Sequence, residues 1–523
     1  MELQHLSEFE KAVEGGRGEL VRFGASFLFI IGVLFLAASQ GLGQDRLMLV
    51  VGAIVAAYMA MNIGANDVAN NVGPAVGAQA LGLGAALSMA AVFELAGALF
   101  AGQRVVERMS ADILKAGLVT DPGVLIWVLV AALLAGAIWI NLASMMGAPV
   151  STTHAIVGGV MGAGIAAQGP DIVNWPVMGG IVISWVLSPL LGGALAAMFL
   201  YLIKRSILRQ VDMAAAARLV VPRLLAVVAA IFTTFLLVEG LRHLLPVHPV
   251  LALACGLGVG MLCLFIVRSR LQRLEPLLAN TRQGVNRLFR IPLIFAAAVM
   301  SFAHGSNDVA NAVGPLAAIV QLLNPVQSGT AWAPVWVMLV GALGISVGLA
   351  LFGPRVIRSL GSELTELDNL RAFSIASASA LTVILASVMG LPISTTHVVV
   401  GGVLGVGFLR EYLHRHQQQL LAGILARHPG SDQSAIEAFM QRFEAASVED
   451  KAALLKKLKK RAKRGEDPAR FTRAERKTLR GVYRRELVQR SQLRRILAAW
   501  VVTVPASALM AAGLFRLLLG LAL

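Results

Sequence analysis

About a dozen apolar stretches divide this chain, each approaching the length of a helix that crosses a bilayer. They fall at 24–40, 47–63, 75–101, 124–142, 154–168, 178–203, 224–242, 248–267, 291–303, 333–352, 373–389, 394–409 and 496–520. A hydrocarbon core roughly 30 Å thick needs about 20 helical residues to cross it. Only 14% of the 523 residues are charged and 57% are hydrophobic, whereas a soluble domain carries about 25% charge. The expectation is an all-α integral membrane protein of about 12 membrane segments. The first apolar run follows five Glu and three Lys or Arg, unlike the short basic start of a cleaved signal peptide, and is read as a real span.

Against that background the string GANDVANN at 64–71 stands out, because an aspartate at the bilayer centre costs roughly 2.5–3.5 kcal/mol on insertion scales. It returns as GSNDVAN at 305, an offset of 241, and PVSTTHAIVGGVMG at 149 returns as PISTTHVVVGGVLG at 392, an offset of 243. FAGQRVVERMSADI at 100–113 faintly matches FGPRVIRSLGSEL at 352–364. Two motifs sharing nearly one offset make the chain an internal duplication.

Loop charge orients the two copies. Residues 204–223 hold five Lys or Arg against one Asp, and 268–290 hold six Arg against one Glu, so both loops belong on the cytoplasmic side with two spans between them. Counting crossings back from 204 makes the hairpin around Ser151 begin and end outside; counting forward from 290 makes the hairpin around Ser394 begin and end inside. The repeats are therefore inverted. The expected organisation is an N-terminal segment with an extra span (1–46), repeat 1 (47–203), basic loops with two connecting spans (204–290), repeat 2 (291–410), a basic cytoplasmic loop (411–495) and a final span (496–523). That basic loop carries 21 Lys or Arg against 10 Asp or Glu; beside a membrane it faces anionic lipid or solvent rather than nucleic acid. Cys255 and Cys263 lie among Gly256, Gly258 and Gly260, a pattern for close helix packing and not for metal or redox chemistry.

Inverted repeats with helices interrupted near the midplane are the usual construction of a secondary transporter, whose site forms at the break points. The apolar run halts at Gly64, and Gly73-Pro74 and Gly314-Pro315 are expected to interrupt the helices after the motifs. Pro149 and Pro392 disfavour helix before them, which puts Ser151 and Ser394 where N-caps belong. Such a helix start suits an anion, and Ser151, Thr152, Thr153, Ser394, Thr395 and Thr396 add six hydroxyls that could converge on one tetrahedral oxyanion. Asp67 and Asp308, with Asn66 and Asn307, offer hard oxygen ligands to a small cation.

These residues resemble the inorganic phosphate transporters called PiT, whose signature is a duplicated GANDVAN-type sequence. The resemblance covers 47–203, 291–410 and the closing apolar segment. It implies a multi-pass symporter of the cell's inner membrane, working by alternating access, that imports inorganic phosphate on an ion gradient. The family motif carries over to Asn66, Asp67, Asn307 and Asp308 as substrate- and cation-binding groups, with sodium at Asp67 and Asp308, and its hairpin hydroxyls to the two STT sets as the phosphate site. Glu94 in AVFELAG is similar to the glutamate of the sodium-coupled branch and joins the cation-binding set. Sodium ions are the implied coupling ions, no other cofactor is expected, and a homodimer stays open. Two departures break the symmetry: Ile345 stands opposite Glu94, and Pro354 opposite Gln103.

Other readings of the same residues stay open at this point. Protons could replace sodium, with or without a metal carried alongside phosphate, and His154 and His397 could shuttle them, since an unperturbed imidazole has a pKa near neutrality. Sulfate or another tetrahedral oxyanion would fit the hydroxyl cradle equally well. Asp67 and Asp308 could be polar glue between helices, and the hydroxyls simple backbone caps. A hydrolase using Ser151 and His154 would need a third orienting group and gives no reason for a second copy; a channel would not accumulate its substrate. Duplication favours a transporter and argues against an enzyme.

Overall fold

The computed structural model describes residues 2–522 apart from 41–45, 112, 120, 147–149, 243–246, 274–278, 325–332, 362–366 and 426–489. Pro149 and the basic run at 456–464 lie outside the described residues. Among the described residues eleven helical stretches are long and apolar enough to cross a membrane, and no strand forms beyond one isolated bridge, Leu114 to Val173. The all-α membrane architecture expected from the apolar runs is the one observed.

In chain order the helices are α1 (Glu2–Ala38), α2 (Arg46–Asn71), α3 (Gly73–Gly77), α4 (Leu83–Ala101), α5 (Gln103–Ala111), α6 (Pro122–Met145), α7 (Thr152–Gln168) and α8 (Trp175–Ile203). Then follow α9 (Met213–Phe235), α10 (Pro249–Arg273), α11 (Arg282–Leu288), α12 (Arg290–Asp308), α13 (Ala310–Leu323), α14 (Val335–Gly361), α15 (Asn369–Val388), α16 (Thr395–Leu425) and α17 (Arg490–Ala522). The chain forms two compact units: Met1–Gly405 with Ser491–Leu523, and Val406–Arg490, of which little beyond the end of α16 is described.

Local chemistry sets several boundaries. Asp121, Asp212 and Asp368 cap α6, α9 and α15 by accepting from Gly123 N, Ala215 N and Arg371 N. Ser151 does the same for α7, accepting from His154 N at 3.1 Å, and Ser394 for α16, accepting from His397 N at 3.2 Å. With 17 residues, α7 is about 25 Å long at 1.5 Å per residue, short of a full crossing.

The breaks at the duplicated motifs differ from expectation. Gly64 does not halt α2, which runs unbroken through the motif to Asn71; Gly73-Pro74 opens the short α3, where a proline in the first turn costs no hydrogen bond. In the second repeat the interruption falls at Val309, immediately after Asp308, while Gly314-Pro315 lies inside α13.

Glycines place the helices. Gly64 on α2 touches α14 so closely that a Cβ would lie 1.9 Å from the carbonyl oxygen of Ile345, and a Cβ at Gly305 on α12 would lie 2.1 Å from that of Glu94 on α4. The two crossings are the same contact made once by each repeat. Farther along, Gly158 and Gly162 pack α7 against Val504 and Ala508 of α17, whereas Gly401 and Gly405 pack α16 against Pro189 and Gly193 of α8. The final helix is thus the second repeat's equivalent of α8, and each hairpin helix lies on the span that closes the other repeat. Gly256 and Gly260 seat α10 on α9, as the packing reading of that segment anticipates, whereas Gly258 meets nothing within 4 Å and Cys255 is exposed.

Candidate functional site

The two motifs meet in the interior, where Asp67 and Asp308 are fully buried. Each motif first clamps the tip of its own hairpin. Asn66 Nδ2 donates to Val150 O at 3.1 Å, and its Oδ1 accepts from Ser144 at 3.0 Å. Asn307 holds Leu391 O at 3.1 Å and Ile393 N at 3.3 Å. These bonds satisfy backbone groups of Val150, Leu391 and Ile393 just ahead of α7 and α16, which a membrane interior would otherwise penalise heavily.

The carboxylates then gather hydroxyls. Asp67 Oδ2 accepts from Thr152 Oγ1 at 3.0 Å, and Asp308 Oδ2 accepts from Thr395 Oγ1 at 2.9 Å. Asp67 Oδ1 takes three more donors: Asn66 at 2.9 Å, Asn70 at 3.2 Å and Thr396 at 3.1 Å. The repeats are laced together by reciprocal bonds, Asn70 Nδ2 to Thr396 Oγ1 at 2.9 Å and Asn311 Nδ2 to Thr153 Oγ1 at 3.1 Å, while Thr153 also donates to Ile393 O at 2.9 Å. The two STT sets therefore do converge. Their hydroxyls are already engaged, however: Ser151 and Ser394 cap their helices, and Thr152, Thr395 and Thr396 face carboxylates.

Sequence reasoning missed His304. Its Nε2 lies 3.2 Å from Asp308 and 3.7 Å from Asp67, and its Nδ1 lies 3.5 Å from Glu94 Oε2. Ligand atoms of Asp67, His304 and Asp308 all fall within 4.8 Å of one another, a spacing that could hold a metal ion. The signal was present: an imidazole four residues before an aspartate shares its helix face. Glu94 is buried beside it and accepts from Asn71 Nδ2. Under the repeat offsets Ile63 of repeat 1 stands opposite His304, and Ile345 and Ala312 of repeat 2 stand opposite Glu94 and Asn71, so a polar triad on one side of the pseudo-twofold faces an apolar one on the other.

His154 and His397 lie next to this centre without joining it. Their rings meet edge to face at 4.4 Å, with Trp185 on His154 at 3.9 Å and Trp500 on His397 at 3.6 Å, a run of four rings across the repeat boundary. Among the described residues no hydrogen bond links either ring to a serine, and the Ser151 hydroxyl is spent on a cap. The nucleophile and base that a hydrolase needs are not paired here.

Residues 63–511 match the Phosphate transporter family. The chain belongs to that family. A relative from Helicobacter pylori strain J99, named "Putative phosphate permease", is 46% identical over 524 residues, covering 98% of each chain. A permease of the same description from Thermococcus kodakarensis is 39% identical over 365 residues, 69% of this chain and 89% of the relative. A solved structure described as "The sodium-dependent phosphate transporter" superposes with a TM-score of 0.72 at 30% identity, covering 90% of this chain and 98% of the other. This phosphate transporter is a multi-pass membrane protein and not an enzyme, and its buried, hydroxyl-rich centre sits where the inverted repeats meet.

Proposed function

We propose that this member of the phosphate transporter family is a sodium-coupled importer of inorganic phosphate in the inner membrane, working by alternating access at the centre between the repeats. The observation that carries the reading is the convergence of both hairpin starts on two buried carboxylates whose oxygens lie within 4.8 Å of each other. Two like charges that close repel by about 3 kcal/mol at an effective dielectric near 20. A dianion joins them more favourably once cations have entered. Carboxylate and amide oxygens from Asp67, Asp308, Asn66, Asn307 and Glu94 offer a hard donor set for sodium, and the structural relative, itself described as sodium-dependent, supports the same ion. With cations in place, the STT hydroxyls can turn from the aspartates to phosphate, which couples the two affinities. Each inverted repeat would open the centre to one face in turn.

One feature favours a second reading. His304 brings nitrogen into the carboxylate pair, and imidazole suits a divalent transition metal better than an alkali ion. Under that reading phosphate travels with a divalent metal and the drive is protons.

Uptake of labelled phosphate into proteoliposomes separates these readings under imposed sodium or proton gradients, with excess sulfate as competitor. Sodium-driven accumulation that resists sulfate is expected, and Asp67→Asn or Asp308→Asn should abolish it while the protein stays in the membrane. Normal sodium-driven uptake in both variants would refute the assignment.

A further inference from the structure

Arg104 lies outside the centre yet reaches the backbone that leads into it. It stands at the start of α5, a short helix of repeat 1 that packs on repeat 2: a Cβ at Gly102 would lie 2.6 Å from Val309, and one at Gly314 would lie 2.6 Å from Met109. From there the Arg104 guanidinium donates through Nη1 to Val388 O, the last residue of α15, and lies 3.0 Å from Glu239 Oε1 at the end of the connecting span.

The segment it touches is a helix end with a definite geometry. Gly390 has φ +66, its N–H donates to Ser387 O and that of Leu391 to Ala386 O. These are the two bonds of a Schellman turn, which leaves the Val388 carbonyl without a partner along the helix. Arg104 supplies that partner and packs its stem on Gly390, where a Cβ would lie 3.2 Å from Arg104 Cγ. Three residues on, Asn307 grips Leu391 and Ile393, and the chain then becomes Ser394, Thr395 and Thr396. Glu239, 5% exposed, is a carboxylate whose burial would be costly without cations beside it, and Arg104 is one of two, with Arg242. One nitrogen, Nη1, meets both the carbonyl and the carboxylate.

We propose that Arg104, anchored by Glu239, is a positioning residue for the phosphate cradle, holding the tip of the second hairpin so that Thr395 and Thr396 stand in register with Asp308 and Asp67. The proposal rests on the phosphate reading for its substrate and on the observed contacts for its geometry. The anchor is one-sided, because Glu239 belongs to the connecting spans, which have no second copy.

The test uses the full chain in proteoliposomes, with Cys255 and Cys263 replaced by alanine and Leu391→Cys as a reporter of the tip. Arg104→Gln is expected to raise the phosphate KM about tenfold, the effect of one well-made charged contact, and to speed labelling of the reporter by a thiol reagent. Glu239→Gln, which touches no part of the cradle, should move both readouts in the same direction, and Arg104→Lys should fall between. Parental KM and labelling rate in Arg104→Gln and Glu239→Gln, with only the amount of protein reduced, would overturn the proposal. Labelling needs no substrate, so a wild type that takes up no phosphate would sink the phosphate reading while the reporter still decides this one.

Discussion

Replacing Gly305 with alanine tests whether the contact between α12 and α4 governs the centre. The added Cβ would lie 2.1 Å from the Glu94 carbonyl oxygen and 2.8 Å from both its C and Cα atoms. Carbon and oxygen approach to about 3.3 Å at closest in ordinary packing, so the helices must separate by about 1 Å. The obstruction is backbone, and no rotamer change relieves it. Overpacking of this kind costs about 1–3 kcal/mol. Glu94 moves with α4, and its 3.5 Å approach to His304 lengthens out of reach. Gly305→Ala should lower the melting temperature in detergent and depress uptake at temperatures where the protein is still folded. Gly64→Ala meets Ile345 O at 1.9 Å and should be as destabilising, at a crossing where Ile345 takes the place of Glu94. Gly258→Ala, with nothing within 4 Å, is the control. Unchanged melting and uptake in Gly305→Ala would refute the claim that this crossing is closed by contact.

The Glu94 and His304 pair should be strongly non-additive. His304→Ile leaves a buried carboxylate and should destabilise more than the double variant Glu94→Ile/His304→Ile, which copies the opposite crossing; a double-mutant cycle on melting temperatures decides it, and additive effects would refute the pairing. Asn70→Ala and Asn311→Ala remove reciprocal ties and should each cost about 1–3 kcal/mol through orphaned partners, measured by chemical denaturation in detergent; a silent pair would show that the lacing carries no stability. Sodium and phosphate together should raise the melting temperature by more than the sum of their separate shifts, where a single ligand at 100 times its Kd adds about 2.7 kcal/mol to the state that binds it. Strictly additive shifts would remove the coupling between the sites.

The repeats and their inversion were legible because hydrophobic length, loop charge and motif offset are each written directly in the chain. The positions of the breaks were not. Gly73-Pro74 and Gly314-Pro315 look alike in sequence, yet one opens a helix and the other sits within one, because tertiary contacts at Val309 decide where the second helix yields. Asp67, Asp308 and the STT sets were found from their spacing, and the structure brings them together. His304 escaped because it has no duplicate, and reasoning from symmetry looks past an unpaired residue. Asn70 and Asn311, which do have duplicates, escaped because nothing in a spacing says that a side chain will cross to the other repeat.

The crossed packing of α7 on α17 and of α16 on α8 bears on how such a chain arises. A half-length ancestor would have had no closing helix of its own to cover its hairpin, and would have found one in a second copy inserted upside down. In this chain both sides of that exchange lie within one polypeptide. Either half expressed alone would therefore be an incomplete molecule, and the two halves supplied as separate fragments should reassemble into one.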